Sequence, residues 1–296
     1  MLTHPLAGKS AFVTGGARRI GRAIAFALAQ AGADVAITYR TSKAEASQTA
    51  AEIAALGCRA VALECDVRSE SSVQAAVAAV IATLGRIDIL VNNAAIFSSA
   101  ALESLTLDQW NDVFDTNTRG PFLVARESLP HLRAAGGRII NIGSLGATHA
   151  WPGHAHYCAS KAALQMLTQA MAKAFAPEVS VNCVAPGWIE VAPSFPAATA
   201  DESVGQEPGL PHHSEVAPSF QSTAVDERVG SVTLPQPLQG EAERRLELQA
   251  ARFASKTPMG RNGSAEEVAQ AVLFFAAGPH FITGQTLVVD GGLGLT

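Results

Sequence analysis

Charge is scarce in this 296-residue chain: Asp, Glu, Lys and Arg together make up 16%, against 48% hydrophobic residues. That ratio excludes a disordered or fibrous chain, where charge or simple repetition replaces an apolar core. Clusters of Lys and Arg are short, the formal net charge is −5 and the isoelectric point is near 5.9. The basic footprint that phosphate-backbone binding requires is missing, so nucleic acid is not an expected partner. No apolar run approaches the length that spans a bilayer; one of the longest, residues 73–84, is interrupted by polar residues, and no membrane partner is expected. The first ten residues, MLTHPLAGKS, hold no apolar stretch ending in a small-residue cleavage site. A signal peptide is therefore not expected, and a cytoplasmic location is. Cys58, Cys65, Cys158 and Cys183 include no CxxC pair; they predict reduced thiols in a cytosolic protein and no metal site. Aromatic residues are only 6%, and the Ala, Val, Ile and Leu that dominate instead suit strands buried on both faces under closely packed helices.

What is present is an alternation of short apolar runs and longer amphipathic stretches. The patterning predicts strands at residues 10–14, 34–39, 60–65, 87–91, 138–142, 179–184 and 285–289. It predicts helices at residues 19–31, 43–56, 70–84, 107–133, 154–175 and 265–277, with Gly120 and Pro121 kinking or breaking the fourth. Such a βαβ rhythm implies an α/β fold with a parallel sheet and helices on both faces, and right-handed crossovers make it doubly wound. No linker appears before residue 190, which predicts one domain over residues 1–296. Between about residues 190 and 240 the rhythm stops in a stretch rich in Pro, Ser, Gly and Glu. There EVAPSFPAATADESVG (residues 190–205) recurs as EVAPSFQSTAVDERVG (residues 215–230), offset by 25 residues with 10 of 16 positions identical. Two copies are too few for a solenoid. A partial tandem duplication within a surface loop is expected, because insertion there costs little closure entropy. A mobile substrate lid with an inert extra copy and plain disordered padding both stay open.

The first chemical signal is TGGARRIG, residues 14–21, following the first predicted strand and opening the first helix. Small residues and free amides at a helix start let a phosphate approach and hold it. This segment resembles the TGxxxGxG fingerprint of the short-chain dehydrogenase/reductase family. NNAA at residues 92–95, Ser144 after the fifth strand, YCASK at residues 157–161, VAPG at residues 184–187 and VDGG at residues 289–292 resemble that family too. The resemblance spans roughly residues 10–187 and resumes near Pro258. It implies a single Rossmann-type domain with a seven-stranded parallel sheet, binding a dinucleotide across the strand ends. By the same resemblance Thr14, Gly15, Arg18, Arg19, Ile20 and Gly21 contact the cofactor. So do Asp66 and Val67 on the adenine side, Asn93, Ala94 and Lys161, and Pro186, Gly187 and Ile189 after the sixth strand. Phe97 and Trp188 are expected to line the substrate pocket. Family members pair the helices at residues 107–133 and 154–175, which implies a homodimer or homotetramer. One position departs: Arg19 replaces the middle glycine, giving TGxxxRxG, which together with NNAxxF at residues 92–97 resembles the pteridine reductases of the family.

Cofactor choice is read after the second strand. A carboxylate there would accept bonds from the ribose hydroxyls and favour NAD. The strand instead runs out as Tyr39-Arg40-Thr41-Ser42. Arg40 offers a planar cation and Ser42 a hydroxyl for a 2′-phosphate, with Arg18 and Arg19 in reach, so NADP(H) is expected.

Tyr157 and Lys161 are spaced i, i+4 on a predicted helix and share a face. A neighbouring ammonium is expected to lower the phenol pKa, so that Tyr157 donates a proton to a developing alkoxide or removes one in reverse. Ser144 sits where ligand-binding residues gather in open α/β sheets, at a strand's carboxyl end, and would hold the substrate oxygen. Asn117, by resemblance, holds a water that relays protons to Lys161. His149, His154 and His156 match no zinc-site spacing and are expected to line the pocket entrance. Cys158 is expected to be inert packing. The expected function is an NADPH-dependent reduction of a ketone, similar to the 3-oxoacyl-acyl-carrier-protein reductases, with reversible alcohol oxidation. Two rivals remain: a pteridine reductase acting on a C=N bond, which Arg19 and Phe97 favour and Ser144 does not, and a catalytically silent NADP(H)-binding sensor or scaffold.

Overall fold

The fold follows from strands whose two faces are both apolar. A computed structural model describes residues 4–190, 248 and 250–295. Among these, the strands in chain order are β1 (Ser10–Val13), β2 (Asp34–Tyr39), β3 (Ala60–Glu64), β4 (Ile89–Asn92), β5 (Arg138–Ile142), β6 (Ser180–Pro186), β7 (Ile189–Glu190), β8 (Gly263–Ser264) and β9 (Thr286–Val289). Seven of them form one sheet in the order β3-β2-β1-β4-β5-β6-β9, and every pairing in it is parallel. The chain runs outward from β1 to β3, then returns across β1 to lay down β4. The crevice at the carboxyl ends of β1 and β4 is therefore the switch point, where open α/β sheets bind ligands.

Alternation along each strand feeds two cores. Val13, Ile37, Ile140 and Ile142 face one layer of helices, and Phe12, Ala36, Leu90 and Ile139 face the other. α1 (Arg19–Gln30) and α7 (Ala265–Ala277) cover the first face through Ile24, Leu28, Val268 and Val272. α3 (Glu70–Leu84) and α5 (Gly120–Ala135) cover the second through Val77, Val80, Val124 and Leu132. Leu28 is wholly buried, so Leu28→Ala would cost about 2–5 kcal/mol. Helix ends follow local chemistry. Ser69 caps α3, Ser264 and Glu267 form a reciprocal capping box on α7, and Gly85 and Gly136 stop α3 and α5 in the left-handed region.

The long helix expected at residues 107–133 is divided as its glycine and proline suggest. α4 (Leu107–Phe114) passes through a π-helical turn, Asp115–Arg119, into α5. Pro121, which has no amide to donate, is the second residue of α5 and directly follows this widened turn. α2 (Lys43–Ala54) and α6 (Ala155–Phe175) complete the expected set. The parallel pair β7–β8 was not expected, because two residues a side leave no periodicity to read. The duplicated stretch from residue 191 onward lies outside the described residues. No helix among the described residues is long and apolar enough to cross a membrane.

Candidate active site

The turn from β1 into α1 leaves space only where side chains are absent. Gly15 sits at φ +63°, and a Cβ on Gly21 would meet the Gly15 carbonyl oxygen at 2.3 Å and Asn93 Nδ2 at 2.5 Å. From the end of β4, Asn93 Nδ2 donates to the carbonyls of Thr14 and Gly15, each at 2.9 Å. The Asn93 and Ala94 amides donate to Thr14 Oγ1 at 3.0 and 3.1 Å. Thr14, Gly15, Gly21, Asn93 and Ala94 are thus brought together as expected, and they tie the two sides of the crevice to each other. Ile20 packs into the core behind the turn.

Arg19 occupies the left-handed region at φ +52°, a backbone conformation that costs a residue with a side chain about 1–2 kcal/mol. Burial, and then the charge of Arg18, hold its guanidinium below the ordinary pKa. Arg40 leaves β2 exposed. Ser42 is the N-cap of α2, yet its hydroxyl makes no capping bond. Among the described residues none of Arg18, Arg19 and Arg40 enters an ion pair, whereas Arg22 is paired with Glu52. With no ion pair among the described residues, these guanidiniums are chemically suited to donate to a phosphate. Asp66 is not a bare acceptor. Arg68 Nη2 approaches its Oδ2 at 2.6 Å and Arg68 Nε its Oδ1 at 3.0 Å. The carboxyl is held below its ordinary range, first by this Arg68 hydrogen bond and also by the charge of Arg40. Val67 is buried and packs where a Cβ on Gly120 would stand.

Past β6, Pro186 lies opposite Val289, and the Gly187 amide donates to the Val289 carbonyl at 2.9 Å. A Cβ on Gly187 would come within 2.6 Å of Asp290 Cβ. Trp188 stacks on Phe253 with centroids 4.2 Å apart, and Ile189 enters β7. These residues leave the sheet at the same carboxyl end as Thr14, Asn93 and Ser144.

Ser144 follows β5 in an extended conformation, buried, its Oγ accepting from the Gly146 amide at 3.0 Å. It also stands close enough to the Tyr157 hydroxyl to act on that group's pKa. Tyr157 and Lys161 stand one turn apart on α6. A buried chain sets that helix against the sheet: Asn92 Nδ2 donates to Asn141 Oδ1 and Asn141 Nδ2 to Thr168 Oγ1, each at 2.9 Å. Lys161 is 2% exposed, and its Nζ donates to the Ile142 carbonyl at 2.8 Å, 5.9 Å from the Tyr157 ring centroid.

The expected lowering of the Tyr157 pKa is overturned. Burial pushes the phenol up to about 12, moderated by Ser144, and pushes Lys161 down to about 8. The reason is geometric: the ammonium spends its short contact on the β5 backbone, so desolvation dominates at the ring. Asn117 lies beneath the same site. It is wholly buried in the π-helical turn, and its side chain braces the chain after β4. Oδ1 accepts from the Ile96 amide at 2.8 Å, and Nδ2 donates to the Ile96 carbonyl at 2.9 Å and to Ser160 Oγ at 3.1 Å.

Aromatic rings surround the phenol. Phe97, 43% exposed, meets Tyr157 edge-on at 4.8 Å and stacks on His154 at 4.5 Å. Trp151, missed in the sequence, lies near-parallel to Tyr157 at 6.1 Å. His156 does not line the pocket entrance. It is wholly buried, with Nε2 2.8 Å from Ser98 Oγ. One step along a helix turns the side chain by about 100°, so the residue before Tyr157 faces elsewhere. Two histidines flanking the tyrosine were the available signal, but their partner Ser98 is 58 residues away in the chain.

Comparison with known proteins gives consistent matches. Residues 9–202 match a family profile described as short chain dehydrogenase, and residues 228–294 one described as enoyl-(acyl carrier protein) reductase. The stretch left between them, residues 203–227, is as long as the offset of the internal duplication. A hydroxynaphthalene reductase of Aspergillus fumigatus is 40% identical over 187 residues, covering 63% of this chain and 68% of that protein. A 3-oxoacyl-[acyl-carrier-protein] reductase of Staphylococcus aureus is 32% identical over 288 residues, 96% of this chain and 98% of that protein. Among solved structures, a blue fluorescent protein from a metagenomic library, in complex with NADPH, superposes with a TM-score of 0.74 at 32% identity, over 98% of this chain and 99% of that one.

Proposed function

The chain belongs to the short-chain dehydrogenase/reductase family, oxidoreductases acting on carbonyl or hydroxyl groups, and from that premise we propose that it is an NADPH-dependent ketone reductase. The observation that carries this reading is the placement of a half-buried Tyr157, one helical turn before Lys161, beside Ser144 at the carboxyl end of the sheet next to the glycine turn. A protonated phenol at that place can donate to a developing alkoxide, which suits reduction. Ser144 Oγ holds the substrate oxygen, and the Tyr157 hydroxyl gives it a proton. Lys161, still largely charged at pH 7, donates to the Ile142 carbonyl and would hold the nicotinamide ribose. The nicotinamide, when bound, supplies the hydride. Thr14, Gly15, Gly21, Asn93 and Ala94 form the cradle for the dinucleotide, because each glycine leaves room that a Cβ would fill.

The choice of NADPH over NADH rests on Arg18, Arg19 and Arg40. A phosphate relieves the repulsion between Arg18 and Arg19, and the strand end offers no carboxylate to a ribose hydroxyl. The NADPH complex of the blue fluorescent protein agrees with this choice. A pterin substrate is the second reading, favoured by Arg19 and the exposed ring of Phe97 and opposed by Ser144. The test follows loss of reduced nicotinamide absorbance with 2-tetralone, a 3-oxoacyl thioester and dihydrobiopterin. NADPH oxidation with a ketone is expected, and Arg40→Asp should shift preference toward NADH. Turnover of dihydrobiopterin alone would replace the ketone reading with the pterin one. No turnover of any substrate would leave a cofactor-binding sensor.

A further inference from the structure

Phe97 lies in a segment without regular structure, residues 93–101, so no ladder holds it. Its two neighbours are nevertheless each held by two polar groups. On one side Ile96 has both its amide and its carbonyl bonded to the Asn117 side chain, at 2.8 and 2.9 Å. On the other side Ser98 has its carbonyl 3.0 Å from His154 Nδ1 and its Oγ 2.8 Å from His156 Nε2. A further bond, Ala100 amide to Gly153 carbonyl at 2.8 Å, closes the segment onto the start of α6.

The partners fix the proton positions. A carbonyl only accepts, so His154 carries its proton on Nδ1. His156 Nδ1 is buried without a hydrogen-bond partner among the described residues. A buried orphan N–H is rarer and costlier than a bare acceptor, so the His156 proton sits on Nε2 and is donated to Ser98 Oγ. Burial, and then the neighbouring His154, hold His156 below its ordinary pKa and keep it neutral. Two imidazoles from the start of α6, the helix that carries Tyr157, therefore grip the residue next to Phe97. His154 also stacks on the Phe97 ring itself.

We propose that His154 and His156, acting through Ser98, are positioning residues that hold Phe97 across the Tyr157 ring and so set which carbonyl substrates reach the Tyr157 hydroxyl. This assignment rests on Tyr157 being the proton donor of the reaction. A ring fixed edge-on to the phenol forms a flat wall at the reacting group; it favours a planar substrate and gives a small aliphatic ketone nothing to stack on.

Two measurements test it. The first is amide hydrogen exchange over residues 94–101 in full-length protein saturated with NADP+. Ser98→Ala and His156→Leu should speed exchange there by about tenfold, in line with the loss of one hydrogen bond. His156→Gln, whose terminal amide reaches about as far as the imidazole Nε2, should restore it. The second is calorimetric binding of 2-tetralone and of 2-butanone to the same NADP+-loaded proteins, which needs no turnover. Ser98→Ala and His156→Leu should weaken 2-tetralone by about 5- to 10-fold, leave 2-butanone within about 2-fold, and His156→Gln should recover the difference. Exchange unchanged in Ser98→Ala and His156→Leu would overturn the proposal. So would 2-tetralone affinity equal to that of the unaltered protein. Binding that responds as stated in a protein that turns over neither ketone would support the positioning role and count against the reductase function instead.

Discussion

Lys161→Met should detach the stability of the fold from its chemistry in a way that pH exposes. Lys161 is 2% exposed, and burial takes its ammonium from the ordinary 10.5 down to about 8. At about 1.4 kcal/mol for each factor of ten, that drop corresponds to roughly 3 kcal/mol by which the charged side chain destabilises the folded state. The sign follows from proton counting. Below pH 8 both folded and unfolded chains carry the proton and the whole penalty is present. Between 8 and 10.5 the unfolded chain binds more protons than the folded one, so stability rises with pH. Above 10.5 both are neutral and the penalty is gone. Methionine fills similar space without charge and removes that dependence. It also loses the 2.8 Å bond to the Ile142 carbonyl, a pH-independent cost of about 1–3 kcal/mol. The net change at pH 7 is therefore a small stabilisation or none. The advantage of the variant over the parent should fall by roughly 3 kcal/mol between pH 8 and 10.5. Urea unfolding of both proteins without cofactor, at pH 7, 8, 9 and 10.5, measures it, and turnover at pH 7 should be lost. A stability difference flat across that range would refute the claim that burial, rather than its partner, governs Lys161.

Other substitutions probe neighbouring parts of the site. Tyr157→Phe keeps the ring contacts to Phe97 and Trp151 and removes the hydroxyl; NADPH affinity should persist while turnover falls by about 10²–10⁴, and near-normal turnover would remove Tyr157 from its role. Gly21→Ala would place a Cβ 2.3 Å from the Gly15 carbonyl oxygen, so the turn must shift. Thermal unfolding should show a loss of about 1–3 kcal/mol, together with weaker NADPH binding in a fluorescence titration. Deleting residues 190–214 joins Ile189 to Glu215 and restores IEVAPSF, so that a glutamate again follows Ile189 where Glu190 accepts from Asn262 Nδ2 at 2.7 Å. Folding and NADPH affinity should be kept, with substrate KM changed only modestly. A large rise in KM would indicate a lid, and loss of soluble protein would mean that the first copy belongs to the fold.

Much of the fold was legible because its causes are local. Runs such as DVAITY and IDILV are largely apolar on both faces, which a parallel sheet sandwiched between helices buries, and local residues mark helix ends: Ser69 and Ser264 start α3 and α7, and Gly85 and Gly136 end α3 and α5. The i, i+4 spacing placed Tyr157 and Lys161 on one face of α6, and the strand-end position of Ser144 placed it beside them. What only the tertiary structure decided depends on neighbours remote in the chain. Whether Lys161 lowers the phenol pKa turns on the Ile142 carbonyl that captures its ammonium, not on the spacing to Tyr157. That Asn117 braces the chain after β4 turns on Ile96, 21 residues earlier. That Arg68 closes on the Asp66 carboxylate was decided only as the chain turns into α3. His156 is polar at the start of a helix, which by itself suggests solvent, yet packing against the segment after β4 buries it and gives it Ser98. Desolvation is a sum over everything packed around a group, and sequence order lists only the neighbours along the chain, so element positions could be read in advance and the protonation states of the site could not.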